Sequence, residues 1–564
     1  MMKRKQVRIM SVLLVLTMLL GIGAPAYAAE SAERFSDVPE GHWADGVIHE
    51  LRSLGISGGV GNNTFGLGQT ITRGEFFAFI VKVMGWEEVA PQAASYSDED
   101  PSAWYYPAVE TAAAHGVMDI GGTIRADEPI TREEMAMYLV GALGFKDLGS
   151  QLKNAPCAFT DVTANKGYIA LANDLGLVGG MGDGSFAPQA TATREQAAAM
   201  IIRLYETRYK TLQELHGCYA ISSSSQSQLM SQMDSVSFGW SRLTLDNGQA
   251  VLNTTSKDNN EFRVPSGFTE PIAAAKANGA TVQLMVYADN ATMTEQGPLL
   301  TTVLTNSALR TQAVQAIVSQ VNQTAKDGES VSFDGVVIDF EAMKGSDLKL
   351  AFNTFLSELK SQLGGKSLYV TVHPMRDDQA YYDAYDYRTI GQLADKVILM
   401  VSDYYAKSLT QAEMDMGYTM TPLSPLNEVY YGLKQITDPN TGVGDTSKIW
   451  LQVSMDTVQW KLQDGKVINQ TPYHPTYDAV SARLAMGVED FYPNYSYNPY
   501  ARYHDDSDNT DNVLWYEDAR SIQAKLELAR LFGIQGVSVW RLGTIPNEYA
   551  NNLNVWQTIT QEVQ

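Results

Sequence analysis

The segment that decides the fold of this chain spans residues 333–341 and reads Phe333-Asp334-Gly335-Val336-Val337-Ile338-Asp339-Phe340-Glu341. Its apolar and β-branched centre is typical of a buried strand in a parallel sheet. Because side chains alternate between the two faces of a strand, Val337, Asp339 and Glu341 share one face. Burial and mutual repulsion of two carboxylates raise the pKa of one of them. The segment therefore predicts a strand that ends in a general acid, with a structural carboxylate cluster or a Ca²⁺ site as the alternative.

Eight apolar runs of this kind occur between residues 217 and 540, most of them separated by stretches with helical periodicity. The alternation predicts an α/β fold, a closed (β/α)8 barrel, with a doubly wound open sheet as the alternative. In a barrel the C-terminal strand ends form the active face, which is where Asp339 and Glu341 fall. The predicted strands are Gly217–Ile221, Ser235–Phe238, Val282–Tyr287, Gly335–Phe340, Leu368–Val372, Lys396–Val401, Ile449–Val453 and Gly536–Trp540, and the predicted helices include Ala308–Val321, Leu348–Leu363 and Ala519–Phe532.

Three repeated units precede the predicted barrel. Each opens with an aromatic residue, a Ser or Thr and an Asp, and the openings lie 61 and 63 residues apart. Each later carries a Thr-Arg pair in which the Thr caps a helix and a Glu follows in the first turn. Units of this size bury too little core to fold alone, so we expect them to pack around a shared helical centre. The recurring Arg at a helix start suits either an anionic ligand or a contact common to the three units.

These units resemble S-layer homology repeats, which anchor exported proteins to secondary cell-wall polysaccharide. The resemblance rests on the Phe-Ser-Asp-Val opening and on the Ile-Thr-Arg-x-Glu signature, and it covers about residues 33–205. The third repeat departs from the pattern, with Tyr168 near the Trp position and Ala192 in place of Ile. The resemblance implies that the polymer-binding residues are Arg73, Arg132 and Arg194, together with Asp37, Asp98, Asp161, Trp43 and Trp104.

Residues 334–341 resemble the strand-four signature of glycoside hydrolase family 18, Asp-Gly-x-Asp-x-Asp-x-Glu. The branch they are most similar to is that of spore-germination and cell-wall N-acetylglucosaminidases. Further similarity lies in the strand-six segment Leu399–Tyr404, in the last helix and strand from Trp515 to Gly543, and in the second strand at Ser235–Trp240.

The family resemblance implies a substrate-assisted retaining mechanism. The expected catalytic residues are Glu341, Asp339 and Asp334. Glu341 is expected to act as acid and then base, Asp339 to orient the 2-acetamido group of the substrate, and Asp334 to support the hydrogen-bond network at the strand end. The expected substrate-binding residues are Asp403, Tyr404, Trp540 and Met400.

Two positions depart from the family pattern. Val337 occupies the place of an Asp or Asn that normally partners the orienting Asp. Ser402 stands where a Tyr usually contacts the acetamido group, and Tyr404 or Tyr405 is the candidate substitute. Loss of one buried polar neighbour costs about 1–3 kcal/mol if Asp339 is left unsatisfied. Because the acid Glu341 and the orienting Asp339 are both present, we expect a working enzyme with a shifted pH dependence.

The chain begins with a pattern typical of a secretory signal peptide: Lys3, Arg4, Lys5 and Arg8, an apolar run from Ile9 to Ile22, and Ala26-Tyr27-Ala28. The apolar run is shorter than the ~20 residues that a membrane span needs. The predicted domains are therefore a signal peptide at 1–28, S-layer homology repeats at 29–90, 91–152 and 153–209, and a barrel at 210–564. An aromatic-rich insertion near 455–512 is expected to wall a glycan groove or to pack on itself, and the two do not exclude each other.

Composition limits the partners of the chain. Of its 564 residues 45% are hydrophobic, and its formal charge of −23 argues against nucleic acid. We expect no cofactor and no metal, no membrane contact after signal cleavage, and a monomer. The two cysteines, Cys157 and Cys218, allow at most one bridge. The expected protein is secreted, associated with a Gram-positive cell wall or S-layer, and cleaves peptidoglycan. The alternatives are a chitinase and a catalytically weak or inactive glycan-binding protein.

Overall fold

The computed structural model describes residues 34–375, 382–402, 404, 408–548 and 550–563. The chain forms two compact units that divide between Lys210 and Thr211. The predicted signal peptide, residues 1–28, lies outside the described residues. Within those residues, no helix combines the length and the apolar character that a membrane crossing requires.

The first unit is mainly helical. Its helices are α1 Asp45–Ser53, α2 Arg73–Met84, α3 Tyr106–Ala114, α4 Arg132–Ala142, α5 Lys146–Gln151, α6 Lys166–Asp174 and α7 Arg194–Arg208. The predicted caps are confirmed for α2 and α4. In each, the N-cap Thr hydroxyl accepts from the N–H three residues on, and that Glu accepts from the N-cap N–H. These reciprocal bonds explain why helices begin at Thr72 and Thr131.

The second unit is a closed barrel of eight parallel strands, as predicted. Strand β8 pairs with both β7 and β1, which closes the sheet and excludes the open doubly wound alternative. Strand β1 begins three residues earlier than predicted. The strands are β1 Glu214–Tyr219, β2 Ser235–Asp246, β3 Thr281–Asp289, β4 Gly335–Glu341, β5 Ser367–Val372, β6 Lys396–Met400, β7 Ile449–Ser454 and β8 Gly536–Trp540.

Helices cover the strand connections of the barrel unit. They are α8 Thr269–Ala277, α9 Leu299–Thr305, α10 Ser307–Asn322, α11 Ser346–Gln362, α12 Tyr387–Leu393, α13 Gln411–Asp415, α14 Leu426–Ile436, α15 Tyr477–Leu484, α16 Ala519–Leu531 and α17 Val555–Glu562. The three predicted helices correspond to α10, α11 and α16. Short 3₁₀ segments occupy Ile221–Gln232, Lys257–Asn259, Thr446–Lys448 and Ala550–Asn552.

Between β7 and β8 the chain forms a separate antiparallel sheet of five strands, Val458–Gln463, Lys466–Val467, Glu489–Phe491, Tyr500–Asp505 and Thr510–Trp515. Its Val458, Trp460, Val513 and Trp515 are nearly inaccessible to solvent and form one core with Leu409 and Leu423 of the connection between β6 and β7. The aromatic-rich insertion therefore packs on itself and on this connection, and its role as a wall of a glycan groove stays a prediction.

Small antiparallel additions complete the barrel unit. Strand β2 continues past an irregularity between Phe238 and Ser241 into a hairpin with Gln249–Asn253. Two further hairpins pair Met293–Thr294 with Gly297–Pro298 and Thr324–Lys326 with Glu329–Val331. Cys157 is half-buried, Cys218 is buried, and both are free thiols.

Candidate active site

Strand β4 carries the two predicted carboxylates to the C-terminal face of the barrel. Asp339 lies beside Tyr287 of β3, and Glu341 lies beside Asp289. Only 3% of Asp339 is exposed, whereas Glu341 at the strand end is partly exposed. The strand thus presents one buried carboxyl group and, one step further toward the mouth, one that solvent can reach.

An apolar layer lies beneath Asp339 in the barrel lumen. Val337 packs there in a buried cluster with Met285, Tyr369, Ile398 and Trp450. Among the described residues, no group forms a hydrogen bond with Asp339 Oδ1, which is buried. Burial raises the pKa of Asp339 to about 7. Val337 offers this carboxyl group no hydrogen-bond donor, and a carboxylate without donors is poorly stabilised.

Two tyrosines border the carboxylates. Burial, and then the charges of Glu341, Asp289 and Asp339, raise the pKa of Tyr287 well above its ordinary value, so the phenol keeps its proton. The Tyr385 hydroxyl donates to the Phe340 carbonyl oxygen at 2.7 Å, which fixes the end of β4. The alternation of β3 places Tyr287 toward the lumen, and that signal was available in the sequence.

Trp540 ends β8 and lies at the edge of a cavity of about 380 Å³. Its ring packs against the apolar layer that contains Val337. A half-buried indole at a barrel mouth offers a flat face to a sugar ring. The cavity is lined by Ala220, Ile221, Ser222, Gly239, Glu261, Phe262, Arg263, Trp540 and Arg541. Of these, sequence reasoning identified only Trp540 as a site residue. Gly239 of β2 and Arg541 after β8 lie in segments that resemble the family, whereas the other six come from the connections after β1 and β2, which carry no motif.

The other predicted substrate-binding residues come from β6 and the loop after it. Met400 ends β6 in register with Gln452 of β7 and is half-buried. Tyr404 is 7% exposed. Asp403 and Tyr405 lie outside the described residues.

Asp334 does not join this group. It precedes β4, at the opposite end of the strand from Glu341, and seven residues at ~3.3 Å each separate the two by roughly 23 Å. Its Oδ2 accepts from the Val282 N–H at 2.9 Å, and its Oδ1 lies 3.5 Å from Lys276 Nζ. Asp334 therefore ties β4 to β3 at the N-terminal end of the barrel, in keeping with a supporting hydrogen bond and away from the carboxylates.

In the first unit the three recurring arginines link the repeats in a ring. Arg73 donates to Glu134 Oε1 at 2.8 Å, Arg132 to the Phe186 and Gly179 carbonyl oxygens, and Arg194 to the Phe65 carbonyl oxygen at 3.0 Å. Each guanidinium thus contacts the next repeat, with the third returning to the first. The arginines are 4–5% exposed. Their common role here is structural, and their contact with a wall polymer stays a prediction.

The three opening aspartates, in contrast, accept hydrogen bonds from backbone N–H groups of their own repeat. Asp37 accepts from the N–H groups of Phe65, Gly66 and Leu67 at 2.7–2.9 Å. Burial raises the pKa of Asp37, but the hydrogen bonds from these N–H groups lower it by more. The pKa of Asp37 therefore falls below its ordinary value. Asp98 and Asp161 each accept from two such N–H groups.

The aromatic positions of the repeats differ in exposure. Trp43 and Trp104 are 62% and 64% exposed, whereas Tyr168 of the third repeat is half-buried. A large exposed indole thus recurs at the same position in the first two repeats. The third repeat lacks this feature.

Comparison with known proteins agrees with both units. The family model for the S-layer homology domain matches residues 34–77, 95–136 and 158–198. Such domains bind secondary cell-wall polymers, so this is a wall-associated protein of the cell surface. An exoglucanase, XynX, of Acetivibrio thermocellus is 32% identical over 195 residues, which are 33% of this chain and 18% of that protein.

Relatives of the barrel unit include a cortical fragment-lytic enzyme of Bacillus anthracis. It is 27% identical over 288 residues, 49% of this chain and 60% of that protein, so the chain spans less than two thirds of either relative. Among solved structures, the crystal structure of the Bacillus cereus spore cortex-lytic enzyme SleL matches with a TM-score of 0.49. The sequence identity is 20%, and the match covers 63% of this chain and 75% of the SleL chain. The family model named glycosyl hydrolases family 18 matches residues 216–544, more than half of the chain. The protein therefore belongs to glycoside hydrolase family 18, and it carries three S-layer homology repeats ahead of its barrel.

Proposed function

We propose that this protein hydrolyses β-linked N-acetylhexosamine glycan of the cell wall, with peptidoglycan as its substrate. The observation that carries the proposal is the placement of Asp339 and Glu341 on one face of β4, at the C-terminal mouth of a closed barrel. The S-layer homology repeats support peptidoglycan because they hold the enzyme at the wall. The names of the cortex-lytic relatives support the same substrate.

In the proposed mechanism Glu341 is the general acid and base. It protonates the glycosidic oxygen while the carbonyl oxygen of the substrate's 2-acetamido group attacks the anomeric carbon, so that the bond to the leaving sugar breaks. An oxazolinium forms, and Asp339 holds its N–H. Glu341 then takes a proton from water, which attacks the same carbon and restores the acetamido group. The partial exposure of Glu341 and the burial of Asp339 suit these two tasks.

The remaining predicted residues complete the proposed site. Trp540 stacks under the sugar that is cleaved, and Tyr404 and Met400 line the β6 side of the mouth. Asp403 contacts the acetamido group in this proposal. The half-buried indole of Trp540 beside a 380 Å³ cavity supports its role.

A digestion experiment tests this function. Purified protein is incubated with peptidoglycan and with chitin oligomers, and the products are weighed by mass spectrometry. We expect new reducing ends from peptidoglycan, and a loss of at least about 1,000-fold in kcat for Glu341→Gln because the acid is removed. Glu270→Gln, an exposed glutamate of α8, is the control and keeps wild-type rates. Full activity of Glu341→Gln would place the acid elsewhere.

A second candidate is a glycan-binding protein with weak or no catalysis, and Val337 favours it. This side chain offers no hydrogen-bonding group, and among the described residues Asp339 Oδ1 has no hydrogen bond. If the candidate is correct, wild-type protein binds both glycans and releases products from neither. Release from chitin alone would instead identify a chitinase.

We also propose that the exposed indoles of Trp43 and Trp104 contact the wall polymer. The buried arginines, in this proposal, act mainly by holding the repeat loops in place. Their hydrogen bonds to loop carbonyl oxygens and glutamates support this division of roles.

A further inference from the structure

The cavity beside Trp540 carries two arginines in a chain whose formal charge is −23. Arg263 lines the side that follows β2, and Arg541 comes directly after Trp540. Glu261, which is exposed, is the one acidic residue among those that line the cavity. The lining therefore has a net positive charge on a protein that is otherwise strongly acidic.

The protein supplies hydrogen-bond acceptors for only some of the N–H groups of Arg541. Its Nη2 donates to Ser222 Oγ at 3.2 Å, and its Cζ lies 5.9 Å from the centroid of the Trp540 ring. Its Nε is buried, and within the part of the chain that the structure describes it has no hydrogen-bond acceptor. Arg263 Nη1 donates to the Asn260 carbonyl oxygen at 3.2 Å. A buried guanidinium N–H without an acceptor is costly unless a ligand supplies one.

The position of this group determines which part of a glycan it meets. Arg541 also lines the neighbouring cavity of about 560 Å³, so its guanidinium stands where two cavities adjoin at the end of β8. Because Arg541 follows Trp540 directly, it adjoins the position at which the proposed function stacks the cleaved sugar. The planar fork of an arginine matches a carboxylate, which it binds through two parallel hydrogen bonds.

We propose that Arg541, assisted by Arg263, selects glycans that carry a carboxylate on the sugar next to the one cleaved. The inference rests on the proposed function and deepens it. In peptidoglycan the carboxylate comes either from the lactyl arm of an N-acetylmuramic acid without peptide or from a stem peptide attached to that arm. Chitin and muramic δ-lactam lack a carboxylate at this position, so the site disfavours both.

Four glycans of equal length test the selection: a peptide-free GlcNAc–MurNAc oligomer, its lactyl methyl ester, the peptide-bearing oligomer, and the chitin oligomer. We expect kcat/KM for the free carboxylate to exceed that for the methyl ester by about tenfold or more. A higher rate for the peptide-bearing oligomer identifies the stem peptide as the source, and a lower rate identifies the lactyl arm. Equal rates for the acid and its ester would overturn the proposal.

Variants of the full chain assign the preference to the arginines. Arg541→Gln is expected to reduce the acid-to-ester ratio of kcat/KM about tenfold, and Arg541→Lys, which keeps the charge without the fork, to retain part of it. Lys360→Gln removes an outer-surface charge and leaves the ratio unchanged. An unchanged ratio in Arg541→Gln contradicts the assignment. If the ester is hydrolysed at the same rate as the acid, only this inference fails. If the protein hydrolyses none of the four glycans, the proposed function itself fails.

Discussion

At the residue scale, the carboxyl group of Asp339 keeps its proton at pH values at which an aspartate has normally lost it. It lies above Val337 and the apolar layer of the lumen, and burial raises its pKa to about 7. In the unfolded chain the same carboxyl group titrates near 3.8. Between these two values the unfolded chain has released the proton and the folded chain still binds it. The folded state therefore loses stability as the pH rises from about 4 to about 7, and the penalty stays constant above that range.

Asp339→Asn is predicted to stabilise the barrel at pH 8 and to have little effect near pH 4. The amide has nearly the same shape and no charge to desolvate, so it removes a penalty of ~2–4 kcal/mol. The free energy of unfolding of the barrel unit, measured with urea at both pH values, checks this. Asp464→Asn, at an exposed turn, is the control. A gain of equal size at pH 4 and pH 8 would mean that ionisation of Asp339 is not the cause.

At the element scale, a buried ion pair ties the start of α16 to the insertion. Lys525 Nζ lies 2.7 Å from Glu517 Oε2, and both side chains are at most 2% exposed. Asn498 Nδ2 donates to Glu517 Oε1 at 2.9 Å, so the carboxylate has donors on both oxygens. A carboxylate that stays buried after losing its partner is strongly destabilising. The pair thus fixes how the insertion meets the last helix before β8.

Lys525→Met is predicted to lower the free energy of unfolding of the barrel unit by about 3 kcal/mol, because Glu517 is left buried without its cationic partner. Adding Glu517→Gln to this variant should restore part of the loss. Lys360→Met breaks an exposed pair with Asp395 and should cost under about 1 kcal/mol. Urea unfolding compares the three. Equal losses for Lys525→Met and Lys360→Met would show that burial does not matter here.

The strands and helix starts could be predicted because their signals are local. The alternation in 335–341 placed Asp339 and Glu341 on one face, and the Thr72 capping box placed a helix start. The buried arginines could not be predicted in the same way, since Arg194 meets the Phe65 carbonyl oxygen across 129 residues of sequence. The cavity with Arg541 likewise depends on loops that only the closed barrel brings together.

At the scale of the whole molecule, two units of different chemistry share one chain. The first unit carries the S-layer homology repeats, and the second belongs to a glycosidase family. The net charge of −23 predicts neither wall binding nor glycan recognition. Both are proposed to depend on local features, the exposed indoles and the two cavity arginines. In the proposed function, an enzyme held at the wall meets a high local concentration of wall glycan, so anchoring and hydrolysis support each other.

Replacing Trp43 and Trp104 together by Ala is predicted to weaken wall binding about tenfold or more. Both indoles are more than 60% exposed, so the repeats should stay folded and only contact with the polymer is lost. Co-sedimentation with purified walls measures the binding, and circular dichroism checks the fold. Tyr209→Ala, also an exposed aromatic residue of the first unit, is the control. Unchanged sedimentation of the double variant would exclude the indoles as the contact.

The central claim is that Glu341 and Asp339 cleave the glycan with help from the acetamido group of the substrate. The most direct test is kcat/KM on two aryl β-glycosides that differ only in an N-acetyl or an N-trifluoroacetyl group on the sugar cleaved. Fluorine withdraws electrons from the carbonyl oxygen that attacks the anomeric carbon, so the rate is predicted to fall by at least about tenfold. Equal rates on the two substrates would contradict the account.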